Sequence, residues 1–158
     1  MRGSGGIDHQ FWYIRRGHNL EMSELNACFG RFQMQQWDRD EQRRMSHYET
    51  LWNALRGLLS RCDVYPPPVD SGSAFVFPIT LNSDRLDEVQ QALAARGVEC
   101  RSLMGGAINR HPAYRSIPHD GLVNCHRMGS SSFFVGIHQS LPDEDVRAVA
   151  EILRDVIS

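Results

Sequence analysis

Apolar residues fall into a regular pattern early in this chain. Leu25, Cys28, Phe29 and Phe32 recur at the three-four spacing of one helical face. Ser23 precedes them as an N-cap, and Glu24 places an acid in the first turn, where the helix dipole favours it. A polar stretch from Asp38 to Arg44 interrupts the pattern and predicts a bend or an exposed turn. Met45, Tyr48, Trp52, Leu55 and Leu59 then follow at steps of three, four, three and four, a narrow seam suited to packing along another element. The reading is one long helix from about Ser23 to Leu59, broken near Asp38, with both stripes buried.

Tyr65-Pro66-Pro67-Pro68 stops that helix, and Asp70-Ser71-Gly72-Ser73 continues as linker. Beyond it the pattern changes to short strands and helices. Ala74 to Leu81 reads as a strand whose internal Pro78 predicts an edge or a bulge. Ser83 or Asp84 caps a helix that turns Leu86, Val89, Leu93 and Ala94 inward and ends at Gly97 as C′. Val98 to Leu103 is a second strand, Gly105-Gly106 opens a long irregular loop through Pro118, and Ser132 to Ile137 is a third strand. A last helix starts at Leu141-Pro142-Asp143-Glu144-Asp145 and buries Val146, Val149, Leu153 and Val156. The order β-α-β-loop-β-α predicts a small sheet covered on one side by two helices.

Composition adds limits. At 158 residues the chain fits one domain, or one domain with a helical arm. A net charge of −2 gives no electrostatic reason to expect nucleic acid or an anionic membrane as partner. No apolar run is long enough to span a bilayer and the N-terminus lacks a signal-peptide apolar region, so a cytoplasmic protein is expected; residues 1–6 read as a disordered leader or as a start inside a longer gene. All 17 basic residues are arginine, so no side chain here can form a Schiff base with an aldehyde cofactor. The four cysteines show no C-x-x-C spacing and read as free thiols. The seven histidines include no i, i+4 helical pair, which argues against a metal site. Ser130-Ser131-Ser132 lacks the glycines of a nucleophile elbow.

Three features carry candidate chemistry. Gly17 to Ser23 is a loop that presents Asn19 just before a helix, where amide and backbone donors reach a phosphate; the alternative is an asparagine that satisfies its own turn. Arg101 ends a strand and suits bidentate contact to a phosphate or carboxylate; the alternative is a surface ion pair. Asn109, Arg110 and Tyr114 lie in the glycine-started loop, which is either a ligand-facing loop or an exposed one with nothing bound.

Set together, these blocks resemble the C-terminal part of the DegT/DnrJ/StrS-type sugar aminotransferases, fold-type I enzymes that use pyridoxal phosphate (PLP). Gly17-His18-Asn19-Leu20-Glu21-Met22-Ser23-Glu24-Leu25-Asn26-Ala27 is similar to the family's G-Y-N-x-R/K-M/I-S/T-x-x-Q-A segment, with Glu21 in place of the usual base. Phe75 to Leu81, followed by Gly97 to Arg101, is the second block. The third runs from Gly105-Gly106-Ala107-Ile108-Asn109-Arg110-His111-Pro112-Ala113-Tyr114 through Phe133 to Ile137 and on to Val146. Its G-G-x-x-N-R-x-P-A-Y form looks most like the nucleotide-sugar 3-dehydratases acting on 4-keto-6-deoxyhexoses. Asn124 to Arg127 resembles their N-x-D/E-R step. The blocks cover nearly the whole chain in the family's order.

The resemblance implies an α/β fold in an α+β arrangement. A long helical arm (1–62) precedes a small, mainly antiparallel sheet covered by helices (63–158), as in the C-terminal domain of fold-type I PLP-dependent transferases. It implies that the large domain, with the cofactor-holding lysine (a histidine in the dehydratases), precedes this region and is absent from the chain. The chain is then a fragment or split gene product, inactive alone, whose partners are a second copy in a homodimer or a separate large-domain chain. Asn19 is implied to reach the PLP phosphate of the neighbouring subunit. Arg101, Asn109, Arg110 and Tyr114 are implied to face a nucleotide-activated 4-keto-6-deoxy sugar in deoxysugar assembly for surface polysaccharide or a natural product. A sugar aminotransferase of the same family is the alternative activity. A stand-alone module that dimerises or binds nucleotide-sugar without catalysis is the alternative class.

Overall fold

A computed structural model describes residues 21–68, 74–103, 106–114, 116 and 121–158. The chain divides into two units, 1–36 and 37–158. Helix α1 spans Glu24–Leu55 and is followed by a 3₁₀ turn, Arg56–Leu58. Ser23 does cap it: the Asn26 backbone N–H donates to Ser23 Oγ at 3.3 Å.

In the first unit the expected burial of the leading stripe is corrected. Leu25 is 80% exposed, Phe29 66% and Phe32 56%, and Cys28 is exposed with them. Periodicity identifies an apolar face, but one helix cannot cover its own stripe.

The second unit corrects the expected break. α1 continues through Asp38 to Arg44 because the polar groups there find partners on a turn far along the chain. Asp40, largely buried, accepts from Arg39 and from Gln139 Nε2 at 3.3 Å. Arg43 donates to the Gln139 and Leu141 carbonyls and pairs with Asp143 at 3.0 Å. Of the later seam, Tyr48 and Leu55 are buried together with Leu51, while Leu59 is 55% exposed.

Four strands form one antiparallel sheet in the order β1-β2-β4-β3: β1 (Cys62–Val64), β2 (Val76–Leu81), β3 (Cys100–Ser102) and β4 (Ser132–Gly136). β1 follows the helix directly and was not among the expected strands. Pro78 lies in a central strand, not an edge one. β1 ends opposite Ile79, so at Pro78 the strand has a paired neighbour on one side only. A missing N–H costs nothing on the open side.

Strand alternation sorts the sheet into two faces. Phe77, Ile79, Phe133 and Val135 are fully or almost fully buried on one face, with Tyr48 of α1 edge-on to Phe77 at 4.7 Å between ring centroids. Helices α2 (Leu86–Ala95) and α4 (Asp143–Ile157) complete this core through Val89, Leu93, Val146, Ala150, Leu153 and Ile157. Arg85, not Ser83 or Asp84, occupies the α2 N-cap, without a side-chain cap bond. Gly97 takes φ +77° past the end of α2, which lets the Val98 N–H reach the Leu93 carbonyl. On the opposite face the Thr80 and Ser132 hydroxyls bond each other at 2.8 Å, buried beside helix α3 (Val123–Ser131), which leads straight into β4.

Candidate functional site

Arg101 sits on the sheet face opposite the core. In register it stands opposite Phe134, which in turn stands opposite Pro78, so the three form a row across β3, β4 and β2. Its Nε and Nη2 both donate to Glu99 Oε1, at 3.1 and 2.8 Å, and both side chains are more than two-thirds exposed. The guanidinium is therefore held by an exposed partner that a phosphate can displace at little cost, since exposed pairs contribute about 1 kcal/mol or less.

β3 runs into the glycine-started loop. The loop is not irregular throughout: Ile108–Arg110 and Pro112–Tyr114 are single 3₁₀ turns. Gly106 takes φ +51°, a left-handed backbone that favours glycine. The next residues lie so close to α3 that a Cβ on Gly129 would come within 2.8 Å of the Ala107 nitrogen. One turn earlier on the same helix, Asn109 Nδ2 donates to His126 Nε2 at 2.8 Å. Asn109 is buried, whereas Arg110 and Tyr114 are exposed. The loop thus turns one expected residue inward as an anchor and leaves two facing out.

α3 is itself tied to the sheet. Arg127 Nη2 donates to Asp63 of β1 and, at 2.7 Å, to Asn82 Oδ1 just past β2. Asp63, Asn82, Arg127 and Ser131 line an open polar groove of about 530 Å³. The structure therefore brings Asn109 to α3, places Arg101 on the outer sheet face with Glu99, and among the described residues leaves Arg110 and Tyr114 without a common partner. Asn19 lies outside the described residues. Among the described residues no three His, Cys, Asp or Glu side chains come together as a metal site, and no helix is long and apolar enough to cross a membrane.

Sequence reasoning did not single out His126 or Gly129. A signal existed for the first: in the N-x-D/E-R step, His126 stands at the acidic position. For Gly129 there was none, because close approach of a loop to a helix leaves no trace in local pattern.

The sequence model of the DegT/DnrJ/EryC1/StrS aminotransferase family matches residues 1–154. The chain belongs to this family. Among relatives of this DegT-type chain, dTDP-4-dehydro-2,6-dideoxy-D-glucose 3-dehydratase of Saccharopolyspora spinosa is 26% identical over 97% of the chain and 34% of its own length. E. coli GDP-4-keto-6-deoxy-D-mannose-3-dehydratase, solved with bound hydrated PLP, superimposes with a TM-score of 0.74 at 19% identity, over 96% of this chain and 40% of that one. An aminotransferase from Psychrobacter cryohalolentis gives a TM-score of 0.78 at 17% identity, over 99% and 43%. These two structures establish the fold. The DegT-type chain spans about a third of the length of the curated relatives it matches.

Proposed function

We propose that the chain is the C-terminal portion of a PLP-dependent nucleotide-sugar enzyme that removes the C3 hydroxyl of a 4-keto-6-deoxyhexose. The observation that carries this reading is the loop. Its G-G-x-x-N-R-x-P-A-Y sequence resembles the dehydratase form, and it is anchored through Asn109 with Arg110 and Tyr114 exposed. A guanidinium and a phenol presented this way suit a sugar-nucleotide: arginine forks onto phosphate oxygens, and tyrosine offers a ring and a hydroxyl. Arg101 adds a second guanidinium on β3. The 3-dehydratase relative aligned over 97% of the chain supports the same activity.

The residues of this chain do not by themselves fit a covalent PLP site. Lysine is absent from the whole sequence, so no side chain can form the internal Schiff base. PLP supplies an electron sink for the sugar chemistry when bound. In this reading it is held by a large domain encoded upstream or made separately, and Asn19 reaches its phosphate across a homodimer. Residues 1–62 form the arm of that assembly and 63–158 its small domain.

An aminotransferase is the second reading, favoured by the aminotransferase family model that matches residues 1–154. The test is to clone the chain with its upstream coding region and supply PLP with a nucleotide-linked 4-keto-6-deoxyhexose. A product lacking the C3 hydroxyl supports the dehydratase, and an amino sugar supports the aminotransferase. Unrelated upstream genes, with no large domain, leave a non-catalytic module.

A further inference from the structure

We propose that His126 is a positioning residue that holds the sugar-facing loop in its docked conformation. Its contact with Asn109 joins two tethers end to end. Arg127, the next residue of α3, fixes the helix to Asp63 and Asn82 at the sheet. His126 then fixes Asn109, the middle residue of the first 3₁₀ turn in the loop, at 2.8 Å. Arg110 follows Asn109 directly, and Tyr114 is four residues further on, so the orientation of both depends on where this turn is pinned.

The chemistry of the pair defines what position 126 must provide. With the Asn109 amide nitrogen turned to the ring, Nδ2 donates and His126 Nε2 accepts, the role open to the tautomer that carries its proton on Nδ1. Asn109 is 8% exposed, and its Oδ1 has no hydrogen-bond partner among the described residues. The bond to His126 is accordingly the one the buried amide makes among those residues, and its loss strands a polar group. Gly129 lies one turn further along α3 and lets the backbone at Gly106 and Ala107 close against the same helix, so side chain and backbone dock together. Position 126 therefore needs an acceptor at the reach of an imidazole Nε2. Glutamine supplies one through Oε1, and alanine supplies none.

The consequence for ligand binding rests on the proposed nucleotide-sugar reading; the docking itself does not. The test compares His126→Ala and His126→Gln in the 158-residue chain by amide hydrogen exchange and by titration with dTDP-glucose. In His126→Ala, exchange across residues 106–114 should rise roughly 5- to 10-fold, the equivalent of one lost hydrogen bond, while β2 and β4 amides keep their protection. His126→Gln should restore the loop to near wild-type exchange, and dTDP-glucose affinity should fall and recover in step. Equal exchange in wild type and His126→Ala overturns the proposal. So does a rise shared equally by the loop and the strands, or a failure of His126→Gln to rescue. Affinity that stays unchanged in His126→Ala while its loop exchange rises also overturns the positioning role. If the exchange pattern appears and no variant binds dTDP-glucose, the positioning role stands and the nucleotide-sugar reading falls.

Discussion

The backbone nitrogen of Ala107 lies 2.8 Å from where a side chain on Gly129 would begin. Helix propensity alone favours alanine over glycine at a mid-helix position by about 1 kcal/mol. Overpacking against backbone costs about 1–3 kcal/mol, and backbone has no flexible end to give way. Gly129→Ala should therefore lower the thermal midpoint and raise exchange in residues 106–110. A variant more stable than wild type would show that the loop does not rest on α3 as described.

His47 is 1% exposed, neither ring nitrogen makes a hydrogen bond among the described residues, and Nε2 is 3.5 Å from Asp143 Oδ1. Burying a polar ring that makes no hydrogen bond costs about 1–3 kcal/mol, offset only by the 3.5 Å contact to Asp143, so an apolar side chain of similar size should be tolerated. His47→Leu is expected to match or exceed wild-type stability in urea unfolding. A loss beyond about 2 kcal/mol would mean that the imidazole has a bonding role of its own.

Alkaline pH should weaken the second unit. Burial pushes the Cys62 thiol from 9.0 up to about 11, with the Asp63 carboxylate adding to it, and burial raises Tyr48 as well. Both groups are neutral when protonated, so the fold favours the protonated forms. Their contribution is complete below the unfolded values and is lost as pH rises through the folded ones. Urea midpoints should fall between pH 9 and 11, and Cys62→Ala should flatten that fall. The same burial predicts that iodoacetamide modifies exposed Cys28 first and Cys62 last.

Leu25, Phe29 and Phe32 form an exposed apolar stripe at helical spacing. Such a stripe drives association at raised concentration. Sedimentation should show species larger than a monomer, and Leu25→Gln/Phe29→Gln/Phe32→Gln should restore a monomer with unchanged helix content. A wild-type monomer at all concentrations contradicts this.

These residues also show how far the sequence could be read. Periodicity located α1, α2, α4 and three of the four strands, because each buries a stripe or an alternating face. It could not say whether the first stripe of α1 is covered, since coverage depends on what lies beside it. It broke α1 at Asp38 because the partners of Asp40 and Arg43 lie about a hundred residues away. α3 was invisible: Val123 to Ser131 contains Asn124, Gly129, Ser130 and Ser131, poor helix formers with no apolar period, and the helix is held by Arg127 and by packing at Gly129. At the site, loop composition pointed to Asn109, Arg110 and Tyr114, yet only the fold separates the buried anchor from the two exposed residues.

The central claim is that the loop side of this chain faces a nucleotide-sugar. Titrating the isotope-labelled chain with dTDP-glucose and following amide and side-chain resonances by NMR tests it most directly. The account predicts saturable shifts at Arg101, Arg110 and Tyr114, with free glucose giving none. Saturable shifts confined to the groove at Asp63, Asn82 and Arg127, or no shifts at any concentration reached, would contradict it.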